Sequence, residues 1–126
     1  MSDDVAVVRG AYEAFSRGDV AAIVALASDT VQWSCPGTLP QGGTYQGKVG
    51  VQTFFEGIGA AWETLQVDLE TVGEVAAGLV VGIVRGSGSL RTGGTAEYGA
   101  VHAFTVQDGK ITAFREYVDI DRSLTT

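Results

Sequence analysis

Two runs rich in β-branched and aromatic residues constrain this chain more than anything else in it. They are Ala100-Val101-His102-Ala103-Phe104-Thr105-Val106 and Ile111-Thr112-Ala113-Phe114-Arg115-Glu116-Tyr117-Val118, either side of Gln107-Asp108-Gly109-Lys110. Such runs read as strands, and Asp-Gly reverses a hairpin because glycine takes a positive φ without a Cβ penalty. The length of the loop then decides which side chains meet. A two-residue loop, Asp108-Gly109, sets His102 across from Arg115 and sends Glu116 to the opposite face. A three-residue loop, Gln107-Asp108-Gly109 with Gly109 as a left-handed bulge residue, sets His102 across from Phe114 and diagonal to Glu116. The longer loop is preferred here, because it gathers Ala100, His102, Phe104, Phe114, Glu116 and Val118 on one face as a pocket wall. Val101, Ala103, Thr105, Ala113, Arg115 and Tyr117 then form the other face. Both faces are partly apolar, so the sheet is expected to be covered on both sides.

Earlier in the chain, Val5, Val8, Tyr12 and Phe15 recur at helical spacing, with Asp3 and Asp4 where the helix dipole favours negative charge. This helix ends near Gly18, and Asp19 is placed to cap a second, shorter one through Ile23, Val24 and Leu26. Val31-Gln32-Trp33-Ser34-Cys35 alternates as a strand closed by Pro36-Gly37, and residues 36–50, rich in glycine, read as a long loop. Val51, Phe54, Phe55, Ile58 and Trp62 mark a third helix despite Gly57 and Gly59. Those two glycines either let the helix pack closely on a sheet or reflect a chain that carries 18 of them. Strands follow over 65–72, 79–90, 96–106 and 110–119. The 126 residues read as one domain of α+β class, with an antiparallel sheet.

Charge and cysteine content narrow the partners. A net charge of −7 repels phosphate backbones and anionic lipid, so neither nucleic acid nor a membrane surface is expected. No apolar run reaches spanning length and no signal peptide is read, which together with a single cysteine points to the cytoplasm. Cys35 and His102 are the only residues of their types, too few soft ligands for a metal site, and no cofactor is expected. Cys35, with no basic neighbour in sequence to lower its pKa, reads as inert packing.

Several segments resemble the nuclear transport factor two-like superfamily, and within it the SnoaL-like branch that includes polyketide cyclases, with ketosteroid isomerases and limonene epoxide hydrolase as relatives. The resemblance rests on Ala11-Tyr12-Glu13-Ala14-Phe15-Ser16-Arg17-Gly18-Asp19, Asp29-Thr30-Val31-Gln32-Trp33 with Pro36-Gly37, Gly47-Lys48, Asp108-Gly109-Lys110-Ile111 and Arg115-Glu116-Tyr117-Val118-Asp119. It implies a curved sheet forming a cone with three helices packed on it, a cystatin-like α+β barrel around an apolar pocket, and an outer sheet face used for dimerisation. It also implies an acid/base pair on the last two strands, at positions like those of His102 and Glu116. The isomerase pattern fits poorly, since its helical tyrosine falls near Ala11, one position from Tyr12, and its general base near Trp33. Epoxide opening is disfavoured, because the aspartate-arginine-aspartate set of that family meets Ile83, Arg85 and Glu116.

The expected activity is therefore acid/base chemistry of the cyclase or isomerase type on an apolar, carbonyl-bearing small molecule. Glu116 is the candidate base, His102 the acid or hydrogen-bond donor, and Arg85 the oxyanion stabiliser. Tyr12, Trp33, Phe54, Ile58, Tyr98, Phe114 and Val118 are the expected pocket wall. The alternative is a ligand-binding or dimerisation module of the same fold with no turnover. A homodimer is expected in either case. Asp119 is read as capping the last strand in preference to lying at the pocket mouth.

Overall fold

The computed structural model describes residues 3–118, so Asp119 lies outside the described residues. Helix α1 spans Asp3–Ser16 and buries Val8, Ala11 and Ala14, the stripe that the 3.6-residue period brings to one side. Helix α2 spans Val20–Leu26 and starts at Asp19, whose Oδ1 accepts from the Ala22 amide at 3.1 Å. Strand β1 follows at Ala27–Cys35. The loop expected over residues 36–50 is shorter than its composition suggests, because Gly43–Gln46 forms a strand, β2, paired antiparallel to the end of β1. What remains is packed, with Leu39 and Gln41 buried. Helix α3 then spans Gly47–Ala61.

Lys48 anchors the start of α3 by donating to the carbonyls of Val24 at 2.9 Å and Ala27 at 2.7 Å, at the C-terminal end of α2, where it adds to the bond that Val24 already accepts from the Ala27 amide. Close packing does not explain the two mid-helix glycines. A Cβ at Gly59 would meet nothing within 4 Å and one at Gly57 only the Cβ of Gln41 at 4.0 Å, whereas Gly50 is the one held tightly, against Tyr45. Trp62 is not in the helix. It closes α3 as an extended residue and opens strand β3, Trp62–Ala76.

Strands β4 (Leu79–Leu90), β5 (Thr95–Gln107) and β6 (Lys110–Val118) complete one sheet of order β2-β1-β6-β5-β4-β3. The sheet is curved, open and mixed, because β1 runs parallel to β6 while every other pair is antiparallel. The helices cover its inner face, and the core is built from Val8, Val31, Val51, Val80, Val84 and Ile111 among others.

The last hairpin takes neither register read from the sequence. Its loop is the two-residue one, with Asp108 at φ 52° and Gly109 at φ 76°, both left-handed as a tight hairpin turn requires. A bulge then adds the missing residue: Val106 pairs with Ile111 but Thr105 with Ala113, leaving Thr112 as the extra one. The slip of one position sets His102 directly opposite Glu116 and keeps the predicted inward face intact.

Candidate active site

Four neighbouring strands contribute one row of the inner face. Gly82 of β4 pairs with His102 of β5, His102 with Glu116 of β6, and Cys35 of β1 follows Ser34, the partner of Arg115. His102 and Glu116 are both 7 % exposed, the only charged-type side chains among the buried residues described. A buried polar group is costly unless paired, and here the pairing is continuous. Cys35 Sγ donates to Glu116 Oε1 at 2.9 Å, His102 Nε2 lies 2.9 Å from Glu116 Oε2, and Tyr12 Oη lies 2.6 Å from His102 Nδ1.

The chemistry of these groups sets the direction of each bond. Burial alone drives the Glu116 carboxyl up, but the His102 hydrogen bond and charge, with the Cys35 hydrogen bond, outweigh it and hold the group below its ordinary value. Glu116 is therefore an acceptor, which puts a proton on His102 Nε2; in the Nε2–H tautomer the Nδ1 lone pair faces the Tyr12 hydroxyl. Burial, then the negative charge of Glu116, push both the Tyr12 phenol and the Cys35 thiol far above their usual range, so both remain protonated donors. Tyr12 thus donates to His102, His102 to Glu116, and Cys35 to the same carboxylate from its other side.

The row opens on a cavity of about 70 Å³ between the helices and the sheet. Tyr12, Trp33, Phe54, Ile58, Tyr98 and Phe114, all expected on the wall, line it together with His102 and Glu116. Phe15, Phe55, Phe104 and Gln41 line it as well. The rings interlock: Trp33 stacks on Phe114 at 4.2 Å and 21°, and His102 meets Phe114 at 4.9 Å and 63°. Gln41 accepts from Trp62 Nε1 at 3.0 Å and so ties the loop before β2 to the start of β3.

Two expected site residues lie elsewhere. Arg85 is exposed on the outer face in phase with Ile83, where both border a shallow groove with Val101 and Tyr117. It cannot stabilise an oxyanion in the cavity, because strand alternation sends Val84 inward (1 % exposed) and Arg85 outward. Val118 pairs with Ala100 at the end of the inner row, packed against the core but outside the cavity lining. Conversely, the sequence reading gave Cys35 no part in the site. The signal was its phase: two residues after Trp33 on an alternating strand, it shares that residue's face. Gly82 was also missed, and it makes room for Tyr12, since a Cβ there would sit 2.9 Å from the phenol oxygen. Among the described residues no group of three histidine, cysteine or acidic side chains is arranged to hold a metal ion, and no helix is long and apolar enough to cross a membrane.

Residues 8–114 match the model of the SnoaL-like domain. The chain belongs to the SnoaL-like family. Its fold is that of the nuclear transport factor two-like proteins. One from Burkholderia thailandensis is similar at 27 % identity and a TM-score of 0.87, covering 99 % of this chain and 97 % of that one. Another, from Burkholderia pseudomallei and of unknown function, is 23 % identical at a TM-score of 0.86, over 99 % and 97 % of the two chains. A Mycobacterium tuberculosis protein in complex with estradiol-17β-hemisuccinate is 24 % identical at a TM-score of 0.79, over 96 % and 97 %. The SnoaL-like chain matches none of the curated proteins in sequence.

Proposed function

We propose that this protein is an acid/base enzyme that moves a proton next to the carbonyl of a small apolar molecule, as a cyclase or isomerase does. The observation that carries this reading is the directed chain Tyr12 to His102 to Glu116 at the wall of an aromatic cavity. Glu116 orients the imidazole and balances the charge that develops on it, while His102 Nδ1 is the proton acceptor. Both nitrogens of His102 are engaged, so Tyr12 is the group that meets substrate. As the carbon–hydrogen bond breaks, its proton passes to the Tyr12 oxygen, the proton of Tyr12 passes to Nδ1, and the electron pair moves onto the carbonyl oxygen. Return of the proton at another carbon completes an isomerisation, and attack of the enolate on a second carbonyl completes an aldol-type closure. The base first expected at Glu116 thereby moves to His102, because a carboxylate held below its ordinary range is a weak base.

Size supports a compact substrate. A water-sized occupant needs about 10–15 Å³ of such space, so about 70 Å³ suits a single small ring, well short of the roughly 300–1,000 Å³ of pockets for drug-sized ligands. The steroid ester bound to the M. tuberculosis protein belongs to that protein, and an equally large ligand here requires the loop before β2 and α3 to give way.

Cyclopentanone in D₂O tests the reading. The protein should accelerate deuterium incorporation next to the carbonyl, and His102→Gln should remove that acceleration by about 10²-fold or more. Equal exchange with the wild type and His102→Gln would leave a binding module. For assembly we propose a homodimer through the outer sheet face, supported by exposed Ile83, Val101 and Tyr117. One buried thiol and no membrane-spanning helix among the described residues support a reducing cytoplasm as its compartment.

A further inference from the structure

The described part of the molecule holds two buried indoles, and only one has a partner. Trp62 Nε1 donates to Gln41 at 3.0 Å. Trp33, 3 % exposed, has its Nε1 fully buried with no hydrogen-bond partner. Buried N–H groups are nearly always paired, and an orphan of this kind calls for an explanation. Trp33 lines the cavity, and the other donors of the row are already committed: Tyr12 to His102, His102 and Cys35 to Glu116. The indole also stands beside the reacting groups, since Trp33 and His102 pack on the same ring, Phe114.

We infer that the indole N–H of Trp33 is the hydrogen-bond donor for the carbonyl oxygen of the substrate. The inference rests on the carbonyl reading of this cavity and specifies the group that binds its polar end. When the electron pair of the broken carbon–hydrogen bond moves onto that oxygen, a pre-placed donor in an apolar enclosure stabilises the charge without reorganising. The role once expected of Arg85 thus falls to an uncharged donor. An uncharged donor suits this place, because an arginine beside Glu116 would pair with the carboxylate and compete with His102 for it. The cavity accordingly selects acceptors: a ketone satisfies the orphan N–H, whereas a hydrocarbon of the same shape leaves it unpaired.

The test compares cyclopentanone with methylenecyclopentane, in which a CH₂ group replaces the oxygen. With two tryptophans in the chain, ¹⁵N-labelled protein gives two indole signals, assigned with Trp33→Phe. Cyclopentanone should move the Trp33 indole proton downfield and leave that of Trp62 in place, while methylenecyclopentane should produce no downfield shift. Replacing Trp33 with benzothienylalanine, which puts sulfur where the N–H was, should reduce the preference for the ketone over the hydrocarbon by about fivefold. Saturable ketone binding with the Trp33 signal unmoved overturns the assignment. So does an undiminished preference in the benzothienylalanine protein, a preference lost in Tyr98→Phe instead, or no saturable ketone binding at all. The two readings separate cleanly: a shifted indole without deuterium exchange removes the proton relay and keeps the donor, and exchange with an unmoved indole does the reverse.

Discussion

Replacing Glu116 with Gln removes one charge and keeps the shape, and its effect should depend on pH in a way that a packing defect would not. In the wild type both carboxylate oxygens accept, from Cys35 Sγ and His102 Nε2, each at 2.9 Å. The amide has one acceptor oxygen and one donor nitrogen, so one of those donors loses its partner, or the imidazole changes tautomer and reverses its bond to Tyr12. Orphaning a buried donor costs about 1–3 kcal/mol, and that is the expected loss at pH 7. The sign with pH follows from the lowered carboxyl. Below the unfolded value of about 4.3, the unfolded chain binds a proton that folded Glu116 still refuses, so the wild type loses this stabilisation as pH falls through the folded pKa. The amide does not titrate, and groups elsewhere are common to both proteins. Urea unfolding followed by tryptophan fluorescence at pH 7, 5 and 3 should therefore show a gap of about 1–3 kcal/mol that is retained at pH 5 and shrinks at pH 3. A gap that is flat or grows on acidification would refute the assignment of Glu116 as the ionised acceptor of the row.

Two other perturbations probe the same row. Because burial and the Glu116 charge hold the Cys35 thiol up, iodoacetamide at pH 8 should alkylate the native protein on the order of a hundredfold more slowly than the urea-unfolded chain; equal rates by mass spectrometry would mean that Cys35 is neither enclosed nor bonded as described. Gly82→Ala would place a methyl carbon 2.9 Å from Tyr12 Oη and 3.2 Å from Leu69 Cδ1, with a cost of about 1–3 kcal/mol in thermal unfolding and a deuterium-exchange rate lowered about tenfold. Unchanged exchange in a folded Gly82→Ala protein would show that the Tyr12 hydroxyl takes no part.

Helix spacing and strand alternation identify α1, the capped start of α2 and the inward face of the last hairpin, because each is a local pattern read over several turns or pleats. The register of that hairpin lay beyond such patterns. It depends on a bulge at Thr112, and Thr112 belongs to an unbroken β-forming run with nothing to mark the insertion. Strand β2 was hidden because Gly43-Thr44-Tyr45-Gln46 is short and glycine-led, and only its pairing with β1 makes it a strand. Arg85 went to the wrong face because β4 is apolar on both sides: Leu79, Val81 and Ile83 alternate with Val80, Gly82 and Val84, and hydrophobicity alone does not choose between them. Tyr12 and Trp33 were both assigned to the wall, and both line the cavity. What their polar atoms do depends on contacts ninety residues apart in the chain for Tyr12, and on the lack of any contact for Trp33.

Strand β6 is the sole bridge between β2-β1 and β5-β4-β3. Until it is in place, the sheet is two separate fragments whose exposed edges can pair wrongly, and Cys35 and His102 have no shared carboxylate. Assembly of the reactive row therefore coincides with joining of the halves. A chain interrupted before residue 110 would lack the bridge and Glu116 together, so a partly made protein would carry no partial chemistry.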